Sequence, residues 1–559
     1  MRPSLRASAR GILRRGRGWS QSFARPAEYP RRWSRCQVTH RLTRLNESLA
    51  DGRILEAQQV DEPRGREGRM QRAAPESTPL LELGEFGFAA LQIWLGGWSE
   101  PAARHEQAMN RLQALIRVAR ERAPLYRRLY RNLRDDRALS LAELPVVNKS
   151  DLMADVAAGF TDVSITPAAL HAFVADPTNV GTLFHGRYAV WTSSGTSGTP
   201  GLFLHDTHAL AVYEALETLR FRGLSSLAQY GARVLAGERF ALVMVTGGHF
   251  ASVSSAEHLR RAFPWLAANV APFSLFTPLA QLVAQLNQYR PTLLATYPTA
   301  AQMLAQEQDA GRLQLQLAEM WTGGEVLAPH VRTRLEQVFG CRVRNSYGAS
   351  EFPSIGWECG LGSLHVNSDW VLLEGVDEAY RPVPAGTPSH TTLLTNLANH
   401  VQPLIRYELG DSITLLPPCA CGSTFPAIRV EGRHDDALRF ADETGRLVTL
   451  LPLVLSTVLE EQAGVHDFQV TQTDAHNLRV SLGSAEPAAD ERVRSALAAH
   501  LAQQGVRDIR LEVDALPPLR SARSGKLRRV ICEVKDRPPA GSTGPTSVAG
   551  AATSVAPPR

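Results

Sequence analysis

The chain has 559 residues, 44% of them apolar and 21% charged, a globular composition at a length that calls for more than one hydrophobic core. Its formal net charge is +5, yet residues 1–45 hold twelve Arg against one acid, Glu28, so the remainder is acidic by about six charges. The basic balance belongs to an N-terminal arm and gives no reason to expect nucleic acid as a partner of the folded body.

In chain order, Met1 to about Arg44 is rich in Arg and Ser and poor in acids, as mitochondrial transit peptides are. A disordered extension, or an upstream start codon in an Arg-rich coding background, accounts for the same composition. From Asp51 to Thr78 the chain stays polar, and residues 1–78 read as a disordered extension. The apolar stretch from Phe86 to Trp98 is well short of the ~20 residues that span a bilayer, so no membrane partner is expected. Arg239 to Val245 reads as a strand ending in Gly247-Gly248, Leu279 to Leu286 as a helix, Pro291 to Ala295 as a strand and Ala300 to Glu307 as a helix. Such alternation predicts an α/β body with βα loops. Thr449 to Leu511 reads helix, strand, strand, helix, strand, which suits a small α+β domain. Residues 536–559, mostly Pro, Gly, Ala, Ser and Thr, read as a disordered tail. There is no internal repeat, and six cysteines without a signal peptide fit a reducing compartment, with the cytoplasm as the expected location.

The strongest local signal is Trp191-Thr-Ser-Ser-Gly-Thr-Ser-Gly-Thr-Pro-Gly201. Glycines such as Gly195 and Gly198 let backbone N–H groups approach an anion, and Ser193, Ser194, Thr196, Ser197 and Thr199 add hydroxyl donors. The Lys-Ser/Thr ending of a Walker loop is missing. A flexible Ser/Gly linker is the alternative, but here an apolar run, Tyr188 to Trp191, leads in and another, Leu202 to Leu204, leads out. Lysine is rare: only Lys149, Lys526 and Lys535 occur. Where Lys survives, a compact rotatable ammonium does what a planar guanidinium cannot. Lys526 lies in the glycine-containing basic run Arg520-Ser-Ala-Arg-Ser-Gly-Lys-Leu-Arg-Arg529.

Together these segments resemble the adenylate-forming superfamily of acyl-CoA synthetases, nonribosomal peptide adenylation domains and luciferases. Further signatures follow in the expected order. Thr322-Gly-Gly-Glu325 resembles the adenine-contacting turn, which puts Gly324 and Glu325 at the nucleotide. Ser346-Tyr-Gly-Ala-Ser-Glu351 resembles the segment in which Tyr347 and Gly348 meet adenine and Glu351 holds magnesium. Pro403-Leu-Ile-Arg-Tyr-Glu-Leu-Gly-Asp411 resembles the segment that ends in the ribose-binding Asp, which would be Asp411. Gly432-Arg-His-Asp-Asp436 resembles the hinge, with Arg433 near ribose and phosphate and Asp435 as pivot. The Pro-Leu-Ile-Arg-Tyr phrase is most similar to the phenylacetate-CoA ligase branch.

The resemblance implies a large multi-layer α/β adenylation domain over 79–433 and a small hinged α+β lid over 434–535. It implies ATP, Mg²⁺ and coenzyme A as cosubstrates and cofactors, a carboxylic acid substrate, and Lys526 and Glu351 as catalytic residues. A homodimer is compatible with it. Each role is physically sensible. Cations offset repulsion between carboxylate and triphosphate, carboxylate oxygens suit Mg²⁺, and one carboxylate can accept from both ribose hydroxyls. A solvated loop acid is the bland alternative for Glu351 or Asp411, and a structural ion pair for Arg406 or Arg433. A carrier-protein thiol or a deazaflavin hydroxyl would serve as acceptor in place of CoA, and a non-catalytic nucleotide-binding protein, or an interaction protein acting through its basic arm, are the other classes.

Cys359 and His365, with Cys419 and Cys421, match a closed structural zinc site of three Cys and one His, an arrangement that the phenylacetate-ligase branch can resemble; three unrelated thiols and a surface His are the alternative. His249, Phe250 and Tyr297 follow predicted strands and occupy βα loops where substrates lie, although core or loop aromatics would read the same. An aromatic acid is favoured by the family similarity alone.

Overall fold

The computed structural model describes residues 78–133, 139–193, 201–223, 237–430, 437–483, 488–514, 516–519 and 528–534. It begins with helix α1 (Pro79–Trp98), whose N-cap Thr78 accepts from the Leu81 N–H and whose first position is Pro, the arrangement that satisfies orphan donors at a helix start.

Strands β1 (Ala189–Ser193) and β2 (Gly201–His205) form an antiparallel pair in which Ser193 opposes Gly201, so the Ser/Gly/Thr motif connects the two strands of a hairpin. Helix α2 (Thr207–Leu216) follows. The main sheet then starts with β3 (Phe240–Met244), α3 (Ala251–Ala262), β4 (Val270–Ser274), α4 (Leu279–Tyr289), β5 (Leu293–Thr296), α5 (Pro298–Asp309), β6 (Glu319–Thr322), α6 (Pro329–Phe339) and β7 (Arg342–Ala349). It continues through β8 (Phe352–Glu358) and β9 (Leu364–Val366). After a separate sheet of β10 (Val371–Val376), β11 (Thr391–Asn396) and β12 (Tyr407–Glu408), it ends in β13 (Ile413–Leu415) and β14 (Ala427–Val430).

The nine strands lie in the order β13-β14-β9-β8-β7-β6-β5-β3-β4. From β4 to β7 the pairing is parallel and beyond β7 it is antiparallel. The two apolar runs read as strands from the sequence are β3 and β5, both largely buried, as interior parallel strands are. The chain runs from β3 outward to β4 and then returns to β5 on the other side of β3. The carboxyl ends of β3 and β5 therefore flank a topological switch point, where α/β sheets open a crevice. Thr246 to Phe250 and Tyr297 follow these two strands. The mixed α/β class read from the sequence is the class observed.

The C-terminal residues carry a two-stranded pair, β15 (Leu438–Ala441) and β16 (Leu447–Leu450), then helix α7 (Pro452–Thr457). A four-stranded sheet follows, built from β17 (Phe468–Gln472), β18 (Asn477–Leu482), β19 (Arg510–Asp514) and β20 (Val530–Cys532), with α8 (Ala489–Gln503) between β18 and β19. This sheet has its own apolar core, in which Phe468, Val470, Val480, Val493 and Leu497 are fully buried.

Candidate functional site

A cavity of ≈ 2170 Å³ opens beside the switch point, and Ser193, Gly324, Glu325, Tyr347, Gly348, Glu351, Asp411, Phe250 and Tyr297 all line it. Ser194, Gly195, Thr196, Ser197, Gly198, Thr199, Arg433, Asp435 and Lys526 lie outside the described residues.

The β7–β8 hairpin positions Glu351. Ala349 opposes Phe352, so Ser350 and Glu351 form the turn, and the register shifts by a bulge between Tyr347 and Ala349. At Gly348 a Cβ would fall 1.9 Å from the Pro353 carbonyl oxygen, which is why a glycine occupies this bulge. Ser350 Oγ donates to the Thr192 carbonyl at 3.1 Å, and Asn396 Nδ2 donates to the Glu351 carbonyl at 2.9 Å. The turn is thus tied to both the β1–β2 hairpin and β11. The Glu351 residue is 8% exposed. Burial raises its carboxyl above the usual range, offset in part by the Lys149 ammonium and by a hydrogen bond from the Tyr407 hydroxyl.

Tyr347 donates from its hydroxyl to Asp411 Oδ2 at 3.1 Å. Burial and the Asp411 carboxylate together push its phenol well above its ordinary value. Asp411 follows Arg406, which adopts φ +49, a left-handed conformation that non-glycine residues hold only when their surroundings over-determine it. Those surroundings are the Glu374 carboxylate at 3.0 Å, the Leu144 carbonyl at 2.6 Å and the Thr395 hydroxyl, which accepts from the Arg406 N–H at 3.0 Å. Arg406 therefore shapes the approach to Asp411 through an ion pair.

Gly324 adopts φ +76, and a Cβ there would press on the Tyr297 ring at 3.2 Å. The Glu325 carboxylate accepts from Thr299 N at 3.0 Å and Thr299 Oγ1 at 2.9 Å, capping α5 beside its N-terminal Pro298. Backbone atoms of this turn, with the carboxylate so engaged, are what it offers to a ligand. His249 does not line the cavity. Its ring lies 5.4 Å from Phe173, while its carbonyl accepts from Thr192 N at 2.8 Å, and burial lowers its pKa.

Lys149 and Arg529 both line the cavity and had no role assigned from the sequence. Lys149 is the first residue of a short helix capped by Asn148; its Cε lies 3.0 Å from where a Gly201 Cβ would stand. Its rarity was the available signal, but nothing local placed it opposite Glu351. Arg529, three residues after Lys526, is 3% exposed and pairs with Glu460.

Cys359, His365, Cys419 and Cys421 converge with their ligand atoms within 4.8 Å of one another. Cys359 Sγ lies 3.9 Å from Cys419 Sγ, and Cys421 Sγ lies 3.4 Å from His365 Nε2. A tetrahedral Zn²⁺ with Zn–S ~2.3 Å and Zn–N ~2.0 Å requires about 3.8 Å and about 3.5 Å for such pairs, so the residues fit the ion. His365 Nδ1 lies 2.9 Å from the Phe425 carbonyl, which as a donor there leaves Nε2 free to ligate. Hydrogen bonding, led by the Ser363 hydroxyl, lowers the Cys419 thiol to about 6.

Residues 188–386 match the family model for AMP-binding enzymes. Among curated proteins, Protein CapK of Staphylococcus aureus is 26% identical over 213 residues, which cover 36% of this chain and 44% of CapK, so the match spans less than half of that relative's length. Among solved structures, a 2-hydroxyisobutyryl-CoA ligase in complex with 2-HIB-AMP and CoA shares 25% identity at a TM-score of 0.49, covering 78% of this chain and 91% of that one. A benzoate CoA ligase from Burkholderia xenovorans LB400 shares 18% identity at a TM-score of 0.32, covering 59% of this chain and 66% of that one.

Proposed function

We propose that this protein is an AMP-forming acid–thiol ligase. A substrate carboxylate oxygen attacks the α-phosphorus of ATP, the bond to the β-phosphate oxygen breaks, and pyrophosphate leaves with that electron pair. A thiolate then attacks the acyl carbon of the acyl-adenylate, forming the thioester as AMP departs. Coenzyme A is the proposed thiol, and an aromatic acid, by resemblance to phenylacetate-CoA ligases, the proposed substrate class.

The observation that carries this reading is the convergence of separate motif residues, Ser193, Gly324, Tyr347, Glu351 and Asp411, on one cavity at the switch point. In this reading the Ser/Gly/Thr connection from Ser194 to Thr199 cradles the phosphates, and Asp411 accepts from the ribose hydroxyls, exchanging its Tyr347 hydrogen bond for them. Tyr347 and the Gly323-Gly324 backbone flank adenine. Glu351 would hold Mg²⁺, which supplies positive charge against the triphosphate. Lys149 is a second cation on the phosphate side. Lys526 bridges the carboxylate and the α-phosphate; Arg529, close after it in sequence, already lines the cavity. Phe250 and Tyr297 border the acyl end. The small C-terminal domain turns about Asp435, with Arg433 beside the nucleotide, between the two half-reactions.

A structural zinc held by Cys359, His365, Cys419 and Cys421 belongs to the same proposal. All four positions are protein ligands, so the ion fastens the loop before β14 to the β8–β9 turn and has no position open for chemistry.

The test is pyrophosphate release across a panel of aryl and aliphatic acids, with and without CoA. The expected result is acid-dependent release, with thioester formed only when CoA is present. ATP binding without release for any acid would replace the ligase with a non-catalytic nucleotide-binding protein.

A further inference from the structure

The cavity does not stop at the strand ends where the nucleotide motifs gather. It follows β3 back from its carboxyl end to its amino end at Phe240, and to Asn269 and Val270 at the start of β4. Along β3, Phe240, Leu242 and Met244 line the cavity, whereas Ala241 and Val243 are buried in the core on the opposite face, the alternation that a strand imposes. The same face continues across the sheet. Leu242 pairs with Ala295 on β5, Ala295 pairs with Trp321 on β6, and both of these line the cavity too. Ala295 is the small residue in that row and leaves the middle of the floor open. Leu210 from α2, with Ala256, Leu259 and Phe263 from α3 and the segment after it, face the same space. The result is an apolar trough between one face of the sheet and two helices.

The Trp321 ring meets Phe221 and Phe240 edge-on, each at 4.9 Å between centroids, so aromatic packing holds the wall toward the amino end. Two carboxyls border the trough, Glu214 near the end of α2 and Glu217 just after it. Burial is the largest cause that raises both, Glu214 to about 7, so this stretch disfavours charge, as a site for an apolar group does. At the far end Arg222 and Glu238 pair with each other. Trp265, which also lines the cavity and is 65% exposed, stands where the trough meets solvent.

We propose that this trough takes the extended apolar chain of a carboxylic acid, laid along β3 with its carboxylate at the nucleotide end. The class of acid rests on the ligase reading, whereas the trough itself does not. From Phe240 to Met244 the strand makes four steps of ~3.3 Å, about 13 Å. An extended chain advances about 1.2 Å per bond, from ~3.3–3.6 Å per three-bond residue, so the trough accommodates about eleven bonds. An acid the size of phenylacetate fills only its upper part. The ≈ 2170 Å³ of the whole cavity leaves room for both chain and nucleotide, each within the roughly 300–1,000 Å³ that encloses a ligand of that size.

The experiment measures the full chain with straight-chain acids from butanoate to tetradecanoate and with phenylacetate, by calorimetric binding beside an α,β-methylene ATP analogue and by pyrophosphate release with ATP. The expected result is affinity that rises by up to about fourfold per methylene, the factor for burying one CH₂, and levels off near dodecanoate. Val270→Phe and Leu259→Phe narrow the amino end, and each should weaken dodecanoate by about tenfold or more. Hexanoate should bind these variants as it binds the native chain, which also shows that they fold. Affinity that is flat with chain length, or highest for phenylacetate, would overturn the proposal and leave the ligase reading in place. Variants that weaken all acids equally would overturn it as well, by placing the chain elsewhere. Length-dependent binding without pyrophosphate release from any acid would uphold the trough and end the ligase reading.

Discussion

Glu351→Gln separates function from stability in opposite directions. The carboxylate is 8% exposed and sits among the Tyr407 hydroxyl, the Lys149 ammonium and Asp411. Gln preserves volume and can still accept from Tyr407 through its amide oxygen, so what is removed is the negative charge. As the proposed magnesium ligand, that charge is aimed at the transition state, and its loss should cost about 10²–10³ in adenylation rate, about 3–4 kcal/mol. The stability effect has the other sign. Burial raises the Glu351 pKa, so the folded state binds this proton more tightly than the unfolded state. The stabilisation this gives is full below the ordinary carboxylate pKa and is lost as pH rises through the raised value. At neutral pH the ionised side chain is therefore a net cost, and Gln should hold or raise the melting temperature, the advantage closing near pH ~4. ATP–pyrophosphate exchange and thermal melting across pH measure the two halves. A melting temperature that falls along with activity would make Glu351 a structural anchor. Unimpaired exchange would remove it from catalysis.

Lys526→Ala and Lys526→Arg should each lose about 10²–10³ or more in adenylation yet still form thioester from a supplied acyl-adenylate; equal losses in both half-reactions would assign Lys526 to fold support. Asp411→Asn should raise the KM for ATP by about tenfold, as expected for a lost charged hydrogen bond, with kcat less affected, and an unchanged KM would place ribose elsewhere. Metal analysis should find about one zinc per chain, lost in Cys421→Ser with a melting temperature lower by several degrees. Zinc-free native protein would withdraw that site.

The chemistry that was legible in the sequence is local. The parallel strands β3 and β5 are continuous apolar runs because both faces are buried; the pocket candidates follow them, and the motifs lie after β6 and at the end of β7 and its turn. The metal-ligand set required spacing and residue type, but its convergence rests on a non-local pairing. His365 on β9 opposes Ala427 on β14, which brings the loop carrying Cys419 and Cys421 over Cys359. No local pattern announces that register, since β9 is only three residues long and β14 four. Lys149 was hidden for the same reason: about 200 residues of chain separate it from Glu351, and only the folded state brings the two charges within influence of each other.

His249 and Phe250 mark a finer limit. Both follow β3 and both were read as substrate-pocket candidates, yet Phe250 lines the cavity while His249 packs toward Phe173. The chain turns after β3 so that His249 packs away from the cavity that its neighbour Phe250 borders. Helix α1 repeats the point on a larger scale. Ile93 and Leu91 have similar hydrophobicity, but the first is buried and the second bare. Ile93 shares the inward side with Ala89, Ala90 and Gly96, and the helix's two acids, Glu82 and Glu85, meet His258 and His208, more than a hundred residues away. The sequence showed the apolar content of this stretch but not which side of the helix is buried.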